Sequence, residues 1–193
     1  MNTEKNLEVV KQYYVARNTK NWESLLSLFH DEYPMDRSSS AALGDYVTEI
    51  TEAGINPGIQ FFQLLGYDDK IITEAQNFLL SVIDKQSNVN YLKWRSQFIS
   101  NFEIQDVMVD KNRVWVYVNS VVLTSYHREL NFSGFQQFVF KESKITASYR
   151  AGRYLGSVIQ MGKVIMAAND KEEINNYLQV LRNLGILPNN IDN

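Results

Sequence analysis

Few residues in this 193-residue chain have side chains suited to chemistry. There is no cysteine, which excludes a thiol nucleophile, a thiolate metal site and a disulfide framework. The only histidines are His30 and His127, in separate parts of the chain, so the usual spacing of a histidine metal site is missing. The sequence implies neither a metal nor a cofactor. It has no G-x-x-x-x-G-K phosphate loop, no G-x-S-x-G elbow and no H-E-x-x-H helix. What remains is carboxylates, guanidiniums, amides and aromatic hydroxyls. His30 precedes Asp31 and Glu32, whose charges would favour its protonated form and permit proton shuttling near neutral pH. A surface or capping role is the alternative. Asp36, after Tyr33-Pro34-Met35, would serve as an acid or base if buried among aromatic rings, since burial raises a carboxyl pKa. As an exposed loop residue it would do neither. Arg150 stays protonated at any working pH. It would bind a carboxylate, stabilise a developing enolate or alkoxide, or pair with an acid such as Asp36. Gln136 can donate and accept a hydrogen bond without titrating, and Gly134 and Phe138 share its face at period two.

The elements that must position these groups read as helices followed by strands. A first helix spans about 4–18, with Leu7, Val10, Tyr14 and Arg17 on one stripe and Thr3 as its cap. Arg17 either joins Tyr14 at a site or extends its head to water. Asn21 caps a second helix in which Trp22, Leu25, Leu26 and Phe29 form the apolar face, and Pro34 forbids its continuation. Glycines and Pro57 punctuate the stretch from Asp36 to Val89. Within it Asp68 and Asp69 start a helix aligning Ile71, Ala75, Phe78, Leu79 and Val82. A third amphipathic helix is expected at 89–101, carrying Tyr91, Trp94, Arg95 and Phe98.

Strands follow at 104–109, 113–125, 130–140 and 144–150, with Asp110-Lys111-Asn112 and Lys141-Glu142-Ser143 as turns. Both faces of the long second strand are largely apolar, so both require cover. Residues 154–161 read as helical. Asp170 and Glu173 resemble a capping box for a last helix with Ile174, Tyr177, Leu178 and Leu181 on its apolar face, closed by Gly185 and Pro188. Tyr14, Tyr33, Trp94 and Tyr154 are the candidate aromatic walls of a pocket, and each also reads as plain core.

Hydrophobic residues make up 45% of the chain and charged residues 21%, as in an ordinary globular domain. A net charge of −3 with interleaved signs argues against nucleic acid. The N-terminal residues lack the layout of a signal peptide, and no apolar run approaches the roughly 18 residues that span a bilayer. A cytoplasmic location without membrane contact is the expectation.

Between Phe132 and Ile145 the chain reads F-S-G-x-x-x-F-x-F-x-x-x-K-I, followed by Gly156 and by Gln160-Met161-Gly162. Near the start it reads N-x-x-x-W-x-x-L-x-x-L-F from Asn18 to Phe29. This resembles the polyketide cyclase-like (SnoaL-like, ester cyclase) proteins of the nuclear transport factor 2-like superfamily. The resemblance implies an α+β cone in which a curved antiparallel sheet wraps N-terminal helices around an internal pocket. One domain would cover 1–193, with a helical insertion over about 38–88 and an added C-terminal helix at about 170–185. The insertion would be a lid, a dimer contact or extra core. The outer sheet face would pack on a second subunit, giving a homodimer.

Aldol-type cyclases of this family carry an acid/base aspartate in K-I-x-x-x-x-D on the last strand, and Arg150 stands at that place here. Their chemistry is therefore not supported in its usual form. The resemblance also places Asp36 and Gln136 where relatives put polar cavity residues. It implies a cofactor-free cyclase, isomerase or lyase acting on a hydrophobic, oxygen-bearing, polyketide-type metabolite. Asp36, Arg150 and Gln136 would be catalytic, and Tyr14, Arg17, Tyr33, Trp94, Phe138 and Tyr154 would contact substrate. An epoxide-opening hydrolase or pyran-forming cyclase, and a non-catalytic binder or scaffold, stay open as alternatives.

Overall fold

The computed structural model describes residues 3–33, 62–152 and 154–188, with the backbone alone at 79–80, 150–152 and 154–158. Helix α1 (Thr3–Asn18) buries Val10, Tyr14 and Arg17, as its stripe predicts. Tyr13, Val9, Ala16 and Asn6 are buried too, while Leu7 is only half-buried. The buried arc is wider than expected because α1 lies against both α2 (Trp22–Ser27) and the sheet. Asn21 caps α2, its Oδ1 accepting the Ser24 N–H at 3.0 Å. The chain then runs beside the last strand. His30 N–H donates to Ile145 O, and Ile145 N–H donates to Leu28 O, each at 2.9 Å.

Helix α3 (Asp69–Ser81) starts where Asp68 accepts the Ile71 N–H at 3.0 Å. Helix α4 (Lys85–Arg95) begins four residues before the expected 89 and stops well short of 101. Its start is set by a capping box. Asp84 Oδ1 accepts the Ser87 N–H at 2.7 Å, and Ser87 Oγ accepts the Asp84 N–H at 3.0 Å. Its end is set by strand β1 (Ile99–Asp110), which begins five residues earlier than expected. Asn18 clamps both backbone groups of Phe102 at 2.8 Å, so residues that continue a helical pattern are extended against α1 instead.

Strands β1, β2 (Arg113–Leu123), β3 (Glu129–Lys141) and β4 (Lys144–Gly152) form one antiparallel sheet in sequence order. On β2, Val114, Val116, Val118, Ser120 and Val122 are buried, while Trp115, Tyr117, Asn119, Val121 and Leu123 are half-buried. The first set faces the helices, as the period of two requires. Lys111, Glu142 and Ser143 take positive φ at the two predicted turns. Helix α5 (Tyr154–Ala168) runs seven residues past the expected end at 161. Helix α6 (Lys171–Asn183) is capped by Asp170, which accepts the Glu172 and Glu173 N–H groups at 3.0 and 3.1 Å. Glu173 does not complete the expected box. Its carboxylate, 2% exposed, takes Arg128 Nε at 2.7 Å and Nη2 at 2.7 Å. A charged, forked partner outcompetes one backbone amide.

The described part of the insertion belongs to the core rather than standing apart from it. Phe62, Leu64, Leu65 and Ala75 are buried. Phe62 meets Trp94 and Phe98 at ring distances of 5.5 and 5.2 Å. Among the described residues no helix is long and apolar enough to cross a membrane.

Candidate functional site

The inner face of the sheet is built in rows by strand register. One row is Val109, Val114, Phe138 and Ser148; the next is Val107, Val116, Gln136 and Arg150. Most of this face is apolar, and Ser120, Gln136, Ser148 and Arg150 are polar positions on it. Gln136 is buried, and its Oε1 accepts the Tyr14 hydroxyl at 2.9 Å. Tyr14 reaches it because consecutive α1 residues are rotated about 100° apart, so Tyr13 and Tyr14 flank the line of contact with the sheet. Tyr13 meets Phe138 edge-on at 4.9 Å, and Tyr14 meets it at 6.0 Å. Phe138 is fully buried between them.

Arg17, one turn after Tyr13, does not extend to water. It is 6% exposed, its Nη1 donates to Tyr13 Oη at 3.1 Å, and its guanidinium sits 4.5 Å from the Phe102 ring centre. Among the described residues it has no carboxylate partner, and its buried Nε has no acceptor. Buried charge is costly unless paired, so this cation stands out electrostatically. Tyr33, also buried, packs on Phe29 at 4.7 Å and places its hydroxyl 3.5 Å from Ser148 Oγ, one register step from the Gln136 row.

Tyr14, Gln136, Phe138, Arg17 and Tyr33 therefore converge on one region between α1 and the inner sheet. Arg150 is the direct register partner of Gln136. Asp36 lies outside the described residues, and Tyr154 opens α5. Trp94 belongs elsewhere. It packs against Phe62, Phe78 and Phe98 and donates from Nε1 to Glu74 Oε2 at 3.2 Å.

The acids around His30 turn outward to lysines. Asp31 pairs with Lys85, and Glu32 pairs with Lys141 at 2.7 Å. Those hydrogen bonds hold both carboxyls below their ordinary range. His30 Nδ1 accepts the Glu32 N–H at 3.1 Å, a local turn contact. His127 is exposed in the β2–β3 turn with φ +60°. Among the described residues no three His, Asp or Glu side chains gather as metal ligands would.

Tyr13 and Ser148 are parts of this region that sequence reasoning missed. The spacing of Tyr13 and Arg17 by one helical turn was a usable signal. Ser148 had none, since a serine on a strand reads as neutral.

No protein-family model matches the chain. No curated protein matches it in sequence. Solved structures do match in shape. An epoxide hydrolase of the LEH-like kind from M. tuberculosis is similar with a TM-score of 0.55 and 9% identity, over 88% of this chain and 100% of that one. An NTF2-like protein of unknown function from Burkholderia pseudomallei is similar at 0.51 and 8% identity, over 81% and 97%. TerC, crystallised with polyporic acid, is similar at 0.50 and 10% identity, over 81% and 98%. Helices laid across one face of a single four-stranded antiparallel sheet, together with these likenesses over nearly the full length of each neighbour, show that this chain has the nuclear transport factor 2-like fold.

Proposed function

We propose that the protein is a cofactor-independent cyclase, isomerase or lyase acting on a hydrophobic, oxygen-bearing metabolite of polyketide type between α1 and the inner sheet. One observation carries the reading: a buried hydrogen-bonded pair, Tyr14 and Gln136, on a largely apolar face, with the buried cation of Arg17, which has no carboxylate partner among the described residues, near by. A polar group in such a place costs free energy unless it has a partner or a use. Gln136 and Tyr14 would orient a carbonyl, Arg150 would polarise it, and Asp36 would move the proton. Aromatic contact with Phe138 and Tyr33 would fold the substrate, and holding reacting atoms together lowers the barrier by several kcal/mol.

Arg17 supports a substrate that is anionic or becomes so in the transition state, because a buried guanidinium is most stabilised by negative charge. The solved neighbours that are an epoxide hydrolase and a binder of polyporic acid agree with oxygenated, ring-bearing ligands. The epoxide hydrolase likeness also favours a second reading, in which Asp36 and Arg150 open an epoxide.

A non-catalytic binder is the third reading. Its supporting observation is that the one buried carboxylate among the described residues, Glu173, is engaged by Arg128 away from this region. The outer sheet face would meet a second copy of the chain.

The test is a turnover screen of oxygenated cyclic and epoxide substrates with wild type, Asp36→Asn and Gln136→Leu. Loss of turnover in Asp36→Asn by a factor of about 100 or more, with folding intact, supports proton transfer by Asp36. Undiminished turnover in that variant removes Asp36 from the mechanism. Ligand binding without turnover in wild type favours the binder.

A further inference from the structure

A cleft of about 390 Å³ lies away from the Tyr14–Gln136 region, between the residues that open the described insertion and helix α6. Its volume falls within the range of small-molecule sites. Its two walls are each pinned to the β2–β3 hairpin. On one side, Ser125 N–H donates to Leu65 O and the Tyr67 hydroxyl donates to Leu123 O, both at 2.9 Å. Gly66, with φ +79°, allows that turn to press on the hairpin, since a Cβ there would lie 2.6 Å from Ser125 Oγ. On the other side, Arg128 grips Glu173 and Asn176 Nδ2 donates to Tyr126 Oη at 3.0 Å. Anchoring from beneath holds a gap between the walls, so the cleft is formed before any ligand arrives.

Its lining has a definite chemistry. Leu64, Ile72, Ile165, Val180 and Leu184 supply an apolar floor, and Tyr67, Tyr126 and Tyr177 supply aromatic surface. Helix α6 turns Asn176, Gln179 and Asn183 to the rim at spacings of three and four, and Gln63 faces them. Gln179 Nε2 donates to Asn183 Oδ1 at 2.9 Å, which leaves the Gln179 carbonyl and the Asn183 amide hydrogens to offer. Asn176 keeps its carbonyl, having given a hydrogen to Tyr126. The rim thus presents donors and acceptors side by side, as a hydroxyl requires. Among the described residues no lysine, arginine or histidine lines the cleft, and the one charged lining residue is Asp69. An anion would meet no compensating charge from these residues.

We infer that this cleft binds an uncharged, ring-shaped, polyhydroxylated compound of the sugar or glycoside kind, with the ring against tyrosine and the hydroxyls on the amide rim. The site is independent of the proposed reaction.

The experiment is ligand-observed NMR on the full chain with phenyl β-D-glucopyranoside as probe and phenyl phosphate as the anionic control. Two variants accompany wild type: Val180→Trp, which fills the floor, and Asn183→Glu, which adds charge at an exposed rim position. The glycoside is expected to bind with a Kd on the order of 1 mM or tighter, and each variant to weaken it about tenfold or more. Thermal melts check that the variants are folded, and Asn183→Glu decides the matter if Val180→Trp is not. Absence of glycoside binding, equal or tighter binding of phenyl phosphate, or unchanged binding in a folded variant would overturn the inference.

Discussion

At the scale of single residues, Tyr14 and Gln136 act as a pair, and their separate removal should show it. Gln136→Leu removes the buried acceptor to which the Tyr14 hydroxyl donates and is expected to cost about 1–3 kcal/mol of stability. Tyr14→Phe combined with Gln136→Leu should recover part of that loss, because the donor and the acceptor of this bond are removed together. Urea denaturation of the four members of the cycle measures the coupling. A catalytic role predicts that the double variant regains stability but not turnover. Tyr67 makes a pH prediction. Burial raises its phenol to about 12. The folded chain then keeps a proton that the unfolded chain loses near 10, so stability is full below that pH and falls as pH rises toward 12. Tyr67→Phe should flatten this alkaline fall in thermal melts. Ultraviolet titration of wild type should show a tyrosine ionising late.

At the scale of elements, an ion pair ties the C-terminal helix to the β2–β3 turn. Glu173 is 2% exposed, whereas the Arg128 side chain is 34% exposed. The two removals are therefore unequal. Arg128→Met leaves a carboxylate without a partner in the interior and is expected to cost about 3–5 kcal/mol. Glu173→Gln leaves a cation that water can still reach and should cost roughly half as much. Calorimetry of both variants checks the order, and equal losses would show that α6 is held mainly by apolar contacts such as Tyr177 and Leu181.

Helix α4 offers a second test. Backbone and side-chain hydrogen bonds from Ser87 lower the Asp84 carboxyl below its ordinary 3.8. A lowered acid stabilises the fold above that value, and the contribution is lost as pH falls through the native pKa. Asp84→Asn keeps the cap without titrating, so its acid unfolding limb should be shallower than that of wild type.

At the scale of the whole molecule, the outer sheet face asks for a partner. Met108 and Phe135 are 61% and 47% exposed, and the Tyr117 ring lies tilted against that of Phe135 at 4.9 Å. Trp115 joins them around an apolar hollow of about 460 Å³. Gln137, between Trp115 and Tyr149 in the register, has a buried Nε2 with no acceptor among the described residues. Contiguous apolar surface of this kind is what the proposed sheet-to-sheet dimer would bury. Light scattering should find a dimer at about 10 μM, and Trp115→Arg with Phe135→Lys should shift it to monomer, because buried unpaired cations oppose association. A monomeric wild type would refute the sheet-to-sheet dimer.

Local rules made much of this legible in the one-dimensional chain. Asn21, Asp68 and Asp170 cap helices because a short side-chain oxygen satisfies amides within three residues, a purely local act. The alternation of Val114, Val116 and Val118 on β2 follows from the two-residue period of a strand. The aspartate-lysine-asparagine and lysine-glutamate-serine turns are equally local. Composition and missing cysteines set the excluded chemistries without any fold.

Tertiary structure decided the rest, because contacts between distant residues override propensity. The α4–β1 boundary moved because Asn18 holds the backbone of Phe102 from 84 positions away in sequence. Glu173 left its cap for Arg128, 45 positions away. Trp94, chosen from the chain as a pocket wall, went to the insertion side. Tyr13 and Ser148 entered the candidate region through register and helix rotation. Burial of Arg17 with no acid beside it among the described residues is likewise a three-dimensional fact, since a charge shows its need for a partner only once the surrounding protein has removed water.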